Sequence, residues 1–402
     1  MIRNLSIYLK LMGNNFEKKF RLPRPNEIDF PKYEKKNTVN IKVKNVINQA
    51  KAESGDYFAK SINLLKSGNI LVGMDYIDKK FCTIRNQLII YSIPDLKLVK
   101  KYTFPNEEDD EDNVYRIKNA IQLKNGNILA TRDKFYEFDG ESINDGPKRS
   151  SGNIRYSETF TSIKEFLDPG SIQKTIIKKN LTQFVYDTLI EAVDGKVLFS
   201  RRWSGTNILG LDSVKLDENL TTLLEDDWYL DIIFPSELYP DHLYICKNKD
   251  RPIRCSELDV YDIKEFCNEK KKNSLIYNMK ISESENIYGC CEYDKKYLLF
   301  DTLNKGIYVF DLETKTKVAV SNIIHNLDSI SARYKDFGYG KMIKLEDGQL
   351  IRWYSCLRIV DIVEGKEDYY YSIDSTIYFV KYDKYIILVY PNGYVVVVQL
   401  YN

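Results

Sequence analysis

The stretch SINLLKSGNILVGM at residues 61–74 combines an apolar strand, a tight turn and a second apolar strand, and it recurs along the chain. Close copies are AIQLKNGNILATRD at 120–133, LIEAVDGKVLFSRR at 189–202 and MIKLEDGQLIRWYS at 342–355. Weaker copies are LYPDHLYICK at 238–247, CEYDKKYLLFDT at 291–302 and FVKYDKYIILVY at 379–390. A unit of this size cannot bury its own apolar face, so the copies have to stack on one another.

Two marks recur in these units with one period. The first is a hairpin turn that contains Gly, Asn or Asp, marked by residues 68, 126, 195, 241, 295, 348 and 384. The second is an apolar residue followed by Asp at the end of a later strand. It occurs at Phe138-Asp139, Leu211-Asp212, Tyr261-Asp262, Phe310-Asp311 and Val360-Asp361. The turns therefore predict seven equivalent units.

A further strand completes each unit, seen best in LKLVKKYTF at 96–104 and TKVAVSN at 316–322. Each unit is then an up-and-down sheet of about four strands, which is the blade of a β-propeller. The predicted fold is all-β: a seven-bladed β-propeller of four-stranded antiparallel blades.

The aromatic-Asp strand ending resembles the Trp-Asp ending of WD40 repeats, most clearly in YLLFDTLNKGIYVFDLETKTKV at 297–318. The resemblance covers roughly residues 61–402 and implies a WD40-like propeller. WD40 blades usually also carry a Gly-His pair and a network of His, Ser or Thr, Asp and Trp. Two histidines in the whole chain cannot supply that pattern, so a Kelch-type or unclassified propeller is the alternative.

The two ends of the chain are predicted to meet. The last unit has its first three strands and lacks a fourth, which would leave a bare sheet edge. The alternating segment TVNIKVKNVI at 38–47 has the right length to be that strand, and we expect it to close the ring. The domains are thus an extended N-terminal arm over 1–37 and a propeller over 38–402.

Three segments depart from the repeat. The arm contains FEKKFRLPRPNEIDFPKYEKK at 16–36, whose prolines favour an extended leader or a strap on a partner or on the propeller rim. Residues 141–183 are an insertion in the second-to-third blade region, and SETFTSIKEFLDPG within it suggests a short helix. The six acids at 107–112 lack the spaced ligands of a calcium loop and are interpreted as a solvated connector.

Composition narrows the classes of partner and compartment. The formal net charge is +1, so no global field directs the chain to nucleic acid or membrane. The seven cysteines include no CxxC pair, which predicts reduced thiols in a cytoplasmic protein. No apolar run approaches the roughly 20 residues of a membrane helix. Residues 1–16 are basic and apolar, so an organellar transit peptide is an alternative, as is a nuclear location.

No catalytic constellation is found in the sequence. The chain has no GxGxxG, GxxxxGK[ST] or GxSxG motif, and His242 and His325 lie in no nucleophile or zinc pattern. We therefore predict a non-enzymatic protein with no cofactor and no metal site. A propeller enzyme, with a site on the channel axis built from distant loops, is a third possibility.

A binding face is predicted from the links between second and third strands, which emerge on one side of a propeller. The Arg and aromatic residues of those links are Arg132, Arg201, Arg202, Trp203, Arg251, Arg254, Arg352, Trp353 and Tyr354. Arg, Trp and Tyr dominate interface energetics. Alternatively the tips are simply solvated, and Trp203 and Trp353 pack between blades. The opposite turns carry Asp194, Asp241, Asp294, Asp347 and Asp383, which predicts an acidic end or ordinary turn chemistry.

The main functional prediction is an interaction scaffold that binds an acidic, phosphorylated or ribonucleoprotein partner through this face. The alternative is an RNA-associated subunit of a larger complex that uses the same basic residues. Neither membrane binding nor sequence-specific DNA binding is expected.

Overall fold

The computed structural model describes residues 22–31, 40–48, 55–78, 83–104, 114–124, 126, 128–135, 156–163, 172–178, 184–185, 189–193, 196–203, 209–214, 221–226, 229–249, 255–268, 274–283, 287–302, 306–321, 323, 342–353, 356–372, 378–390 and 392–401. Almost all of them lie in β-strands. For some strand residues the description extends to the backbone alone.

The strands form successive antiparallel sheets in chain order, after a first strand β1 (Asn40–Asn48). The first sheet contains β2 (Gly55–Leu64), β3 (Ile70–Asp78), β4 (Thr83–Tyr91) and β5 (Leu98–Thr103). The second contains β6 (Val114–Gln122), β7 (Ile128–Phe135), β8 (Tyr156–Ile163) and β9 (Ile172–Lys178). The third contains β10 (Phe184–Val185), β11 (Leu189–Glu191), β12 (Val197–Trp203), β13 (Leu209–Val214) and β14 (Thr221–Asp226).

The remaining sheets repeat the same order. The fourth contains β15 (Tyr229–Pro235), β16 (His242–Lys249), β17 (Cys255–Asp262) and β18 (Leu275–Ser282), with helix α1 (Ile263–Cys267) between the last two strands. The fifth contains β19 (Ile287–Glu292), β20 (Tyr297–Thr302), β21 (Gly306–Asp311) and β22 (Thr316–Val320). The sixth contains β23 (Met342–Lys344), β24 (Leu350–Trp353), β25 (Cys356–Asp361) and β26 (Lys366–Ser372). The last contains β27 (Tyr378–Tyr382), β28 (Tyr385–Val389) and β29 (Tyr394–Tyr401).

The repeated turns join the first and second strands of their sheets, as the sequence predicts. Gly68, Gly126 and Gly348 have φ values of 80°, 90° and 80°, a region in which a side chain would be strained. Asp383 occupies the same left-handed region, at φ 51°. The choice of Gly or Asp at these turns therefore follows from the backbone conformation.

The apolar-Asp marks lie at the ends of third strands in three sheets. The carboxylates of Asp311 and Asp361 each accept two backbone N–H bonds from the turn that follows, over distances of 2.9 to 3.1 Å. Asp262 makes the same bonds to Lys264 and Glu265 and caps α1. The mark recurs because a carboxylate there satisfies amides that the ladder leaves unpaired. The pair Phe138-Asp139 lies outside the described residues.

The core lies between the sheets. All six residues of β20 and all six of β21 are buried, whereas the outer strand β22 is partly exposed. One apolar cluster joins the fourth and fifth sheets, a second joins the fifth and sixth, and a third joins the sixth and last. A further cluster packs the last sheet on the first. Up-and-down sheets that stack face to face through such cores make the fold propeller-like.

The predicted partnership of the chain ends has a structural counterpart. Strand β1 pairs antiparallel with β29, from Asn40 opposite Tyr401 to Asn48 opposite Tyr394. The last sheet therefore has the order β27, β28, β29, β1, with its outer strand drawn from the other end of the sequence.

The short helix expected within 141–183 stays a prediction, because only part of this segment is described. Residues 156–163 and 172–178 are strands β8 and β9 of the second sheet, and the remainder of the segment lies outside the described residues. In YSETFTSI, β-branched and aromatic residues alternate with polar ones, which suits strand β8. The acids at 107–112 and residues 1–21 also lie outside the described residues.

Candidate functional site

The predicted binding-face residues fall at the ends of second strands. Arg132 lies near the end of β7, the run Arg201–Trp203 closes β12, and Trp353 closes β24. The sheets share one strand order, so the ends of their second strands lie at the same end of each sheet. The links to the third strands begin there. For these residues the structure describes strand positions and not side chains. Arg251, Arg254 and Tyr354 lie outside the described residues.

Arg352 is a correction to the predicted face, since its side chain is 0% exposed. Its guanidinium lies 3.1 Å from Asp301 of the neighbouring sheet and 2.7 Å from Glu367 of its own sheet. Arg358 adds a second cation, 3.3 Å from Glu367. Two cations and two carboxylates thus balance in a buried cluster, so Arg352 is unavailable to a partner.

The cluster holds two sheets in register. Asp301 is on β20 and Arg352 on β24, so their two hydrogen bonds, of 3.1 and 3.3 Å, cross the interface between the fifth and sixth sheets. Buried pairs add little net stability relative to well-packed apolar residues, but removing one partner leaves a costly unpaired charge. The sequence did not reveal this role, because the residues next to an Arg at a strand end do not show whether its side chain is exposed or buried.

Polar residues at the same place in other sheets make similar inter-sheet bonds. The Asp75 carboxylate on β3 accepts the Ile117 N–H at 2.9 Å and the Asn86 amide at 2.8 Å. The Asn248 side chain on β16 accepts the Ile287 N–H at 2.8 Å and donates to its carbonyl at 2.9 Å. The sequence signal is a polar residue about seven positions after the hairpin turn, inside an otherwise apolar second strand.

Lys247, near the end of the second strand β16, is likewise paired within the protein. Its ammonium lies 2.7 Å from Asp259, and its side chain is 10% exposed. Asp259 additionally accepts hydrogen bonds from the Tyr261 hydroxyl at 3.0 Å and from the Asn278 amide at 2.6 Å. This satisfied group stabilises the fourth sheet and leaves no lysine charge for a ligand.

At the opposite end, lysines link neighbouring hairpin turns. Lys66 Nζ donates to the Lys124 carbonyl at 2.6 Å, and Lys124 Nζ donates in turn to the Ala192 carbonyl at 2.6 Å. Lys196 Nζ reaches the Cys267 carbonyl at 2.9 Å. Asp294 and Asp347 accept amides of their own turns. This end therefore carries both signs of charge, and these two acids act in turn chemistry.

A polar and aromatic cluster lies where the fourth and fifth sheets meet. The Ser236 hydroxyl donates to Glu292, whose other oxygen accepts the Glu237 N–H at 2.8 Å. Burial raises the pKa of Tyr277 to about 12, and burial likewise raises that of Tyr244. Both phenols stay protonated at neutral pH, and Glu292 is already engaged. The arrangement suits structural hydrogen bonding and contains no activated nucleophile.

Free thiols are found at Cys246, Cys255, Cys267, Cys290 and Cys291. Burial raises the pKa of Cys291 to about 12 and that of Cys290 well above its ordinary value. A thiol is reactive as its thiolate, so these two groups are inert at neutral pH. Among the described residues, no cluster of three or more His, Cys, Asp or Glu side chains could hold a metal ion.

The N-terminal segment 22–31 lies against the fifth sheet. The Pro23 carbonyl accepts the Val320 N–H of the outer strand β22 at 2.9 Å. A single 3-10 turn follows at Pro25–Glu27. Phe30 is 3% exposed and joins the apolar core between the fifth and sixth sheets. We call the surface formed by Val320 of β22 and by Tyr293 and Tyr297 of the β19–β20 turn the strap groove.

Tyrosines of the β19–β20 turn form the seat for Phe30. The Phe30 ring centroid lies 4.6 Å from that of Tyr293 and 5.1 Å from that of Tyr297. The Tyr297 hydroxyl donates to the Asp29 carbonyl at 3.0 Å. The Tyr293 hydroxyl reaches the Gly348 carbonyl in the next turn at 3.0 Å. The strap groove thus combines an aromatic pocket with backbone bonding, two elements by which folded domains recognise extended peptides.

Comparisons with known proteins add no family. No family model matches the chain, and no curated protein matches it in sequence. Among solved structures it is similar to the crystal structure of BamB from Moraxella catarrhalis, with a TM-score of 0.43 and 8% sequence identity. The similarity covers 90% of this chain and 98% of that one. Within the described residues, no helix is long and apolar enough to cross a membrane.

Proposed function

We propose that this chain is a non-enzymatic interaction scaffold built as a seven-bladed, WD40-like propeller. The sheets number seven among the described residues, and apolar clusters join most pairs of consecutive sheets, including the last and the first. The pairing of β1 with β29 supports closure of the ring by residues 38–47, because it covers an edge that would otherwise be bare.

The partner binds at the end of the propeller where second strands finish. The observation that carries this proposal is the common placement of Arg132 near the end of β7 and of Arg201–Trp203 at the end of β12. An Arg guanidinium grips a carboxylate or phosphate through two parallel hydrogen bonds, and Trp supplies a large apolar anchor. The partner is therefore a protein with an acidic or phosphorylated segment, met in the cytoplasm, or the protein part of a ribonucleoprotein.

The test is affinity purification from the native cell with mass spectrometry, comparing wild type with a triple variant, R201A/R202A/W203A. Loss of the co-purifying proteins in the triple variant is the expected result. The matched control is K381A/Y382A/K384A, which removes two cations and an aromatic from a hairpin turn at the opposite end of the sheets. Unchanged partners in the triple variant, with the fold intact by circular dichroism, would overturn the proposed face.

The alternative function is that of an RNA-associated subunit, favoured by the same arginines. Affinity for RNA falls steeply as salt rises because counterions are released from the phosphates. An interface with aromatic anchors depends much less on salt. Filter binding with total cellular RNA at low and physiological salt separates the two. Tight, steeply salt-dependent binding that is lost in R201A/R202A/W203A favours RNA, whereas weak binding equal in both proteins favours a protein partner.

A further inference from the structure

We propose that the strap groove is a peptide-recognition site. In this structure residues 22–31 of the chain itself occupy it. Its ligand in trans is an extended segment of a partner protein that carries two prolines and, several residues later, an aromatic anchor. This inference rests on the scaffold function proposed above and adds a second surface, distinct from the arginine-bearing strand ends.

The first argument is that the segment behaves as a docked ligand. At one end its Pro23 carbonyl takes the Val320 N–H of an outer strand, which is how peptides add to sheet edges. At the other end Phe30 is 3% exposed between two tyrosine rings. Backbone bonding at one point and an aromatic anchor at another define a recognition mode with affinity and specificity.

The second argument is that Arg24 and Glu27 satisfy each other's backbone or carboxylate groups within the segment. The Arg24 N–H donates to the Glu27 carboxylate at 3.0 Å, and the Glu27 N–H returns to the Arg24 carbonyl at 2.9 Å. Asp29 is exposed, and its carbonyl accepts the Tyr297 hydroxyl. The segment can therefore leave without stranding these backbone groups in an apolar environment.

The third argument is that the strap groove would expose apolar surface if residues 22–31 left it. Phe30, Ile28 and Leu22 each pack on apolar cores between sheets, and their removal would uncover Tyr293 and Tyr297. Uncovered apolar surface favours an occupant of the same chemistry. Proline suits that occupant because it limits the conformational entropy lost on binding. A partner segment with this pattern therefore competes directly with residues 22–31.

The experiment measures exchange with a fluorescent peptide of residues 20–33, using fluorescence polarisation with the full-length protein. In wild type the tethered segment competes, so binding is weak. F30A empties the seat, and we expect it to bind the peptide about tenfold or more tightly than wild type does. The same peptide carrying F30A should not bind. The control protein is F58A, which removes a 39% exposed phenylalanine from the first sheet and should behave as wild type.

A second variant keeps the test decisive if F30A does not fold. A protease site replaces residues 33–36, so that the intact strap is present during folding and is then cut. Excess peptide should displace the cut segment, detected by mass spectrometry after gel filtration. Retention of the cut segment under these conditions, or equal peptide binding by folded F30A and wild type, would overturn the proposal. Neither result bears on R201A/R202A/W203A, so the two proposals fail separately.

Discussion

Arg352 has a different role in the structure from the one that the sequence predicts. In the sequence it stands beside Trp353 in a run that suggests a surface tip. In the fold its guanidinium is buried between Asp301 and Glu367. Its function is to hold two sheets together, because the charge is matched within the protein.

The first prediction concerns this residue. R352M should lower the free energy of unfolding by about 3–5 kcal/mol, because Asp301 would lose its buried cation and Glu367 would keep only Arg358. Urea unfolding followed by circular dichroism measures the change. The matched control is K366M, which removes a cation that is 70% exposed and lies 2.8 Å from Glu364. Its effect should be small. Equal midpoints for R352M and wild type would contradict the role assigned to the pair.

The second prediction concerns Cys291 and alkaline pH. Its pKa is raised in the folded state from 9.0 to about 12, so the unfolded chain releases this proton first as pH rises. The contribution to stability is therefore complete below about pH 9 and is lost towards pH 12. The free energy of unfolding of wild type should fall more steeply between pH 8 and pH 10.5 than that of C291A. Parallel pH profiles from urea titrations would show that the thiol is not protected by burial.

Elements in this protein are specified by short-range chemistry. The hairpin turns need positive φ at Gly68, Gly126 and Gly348, and the ends of third strands use Asp311 or Asp361 to accept turn amides. Both features are visible in the sequence because turn residues are local. The strands β8 and β9 were less visible, since a polar strand and an irregular loop have similar compositions.

The third prediction tests β1 as an element. Deletion of residues 38–47 should lower the thermal midpoint and promote aggregation, because β29 would become a bare edge with the sequence YVVVVQLY. Differential scanning fluorimetry and gel filtration report the two effects. A synthetic peptide of residues 36–50 should restore part of the lost stability.

Deletion of residues 1–16 is the control for that experiment, since it shortens the chain without touching β1. It should leave the thermal midpoint unchanged. An equally stable protein after deletion of 38–47 would mean that the pairing of β1 with β29 contributes nothing to the fold, and would remove the support for ring closure.

At the scale of the whole molecule, stability is distributed over the interfaces between sheets. Apolar clusters and polar bonds, such as those of Asp75 and Asn248, join consecutive sheets. A sheet that is packed on both sides by such contacts cannot be exposed without loss to both neighbours. Interfaces that are shared between consecutive sheets favour unfolding as one cooperative unit.

The fourth prediction follows from this coupling. The chain has three tryptophans, of which Trp203 lies on β12 and Trp353 on β24. Variants that keep only Trp203 or only Trp353, with phenylalanine at the other two positions, should show the same urea midpoint by fluorescence. Circular dichroism should agree with both. Separate midpoints would show that the third and sixth sheets unfold independently.

By itself, the sequence determined the repeating unit, its turns, its strand-ending carboxylates and strand β1, which pairs with β29. These patterns are local, because each depends on the chemistry of only a few neighbouring residues. Only the tertiary structure decided that Arg352 and Lys247 are buried and that Phe30 sits in a groove. Burial and ion pairing depend on which distant strand lies alongside, and neither composition nor spacing carries that information.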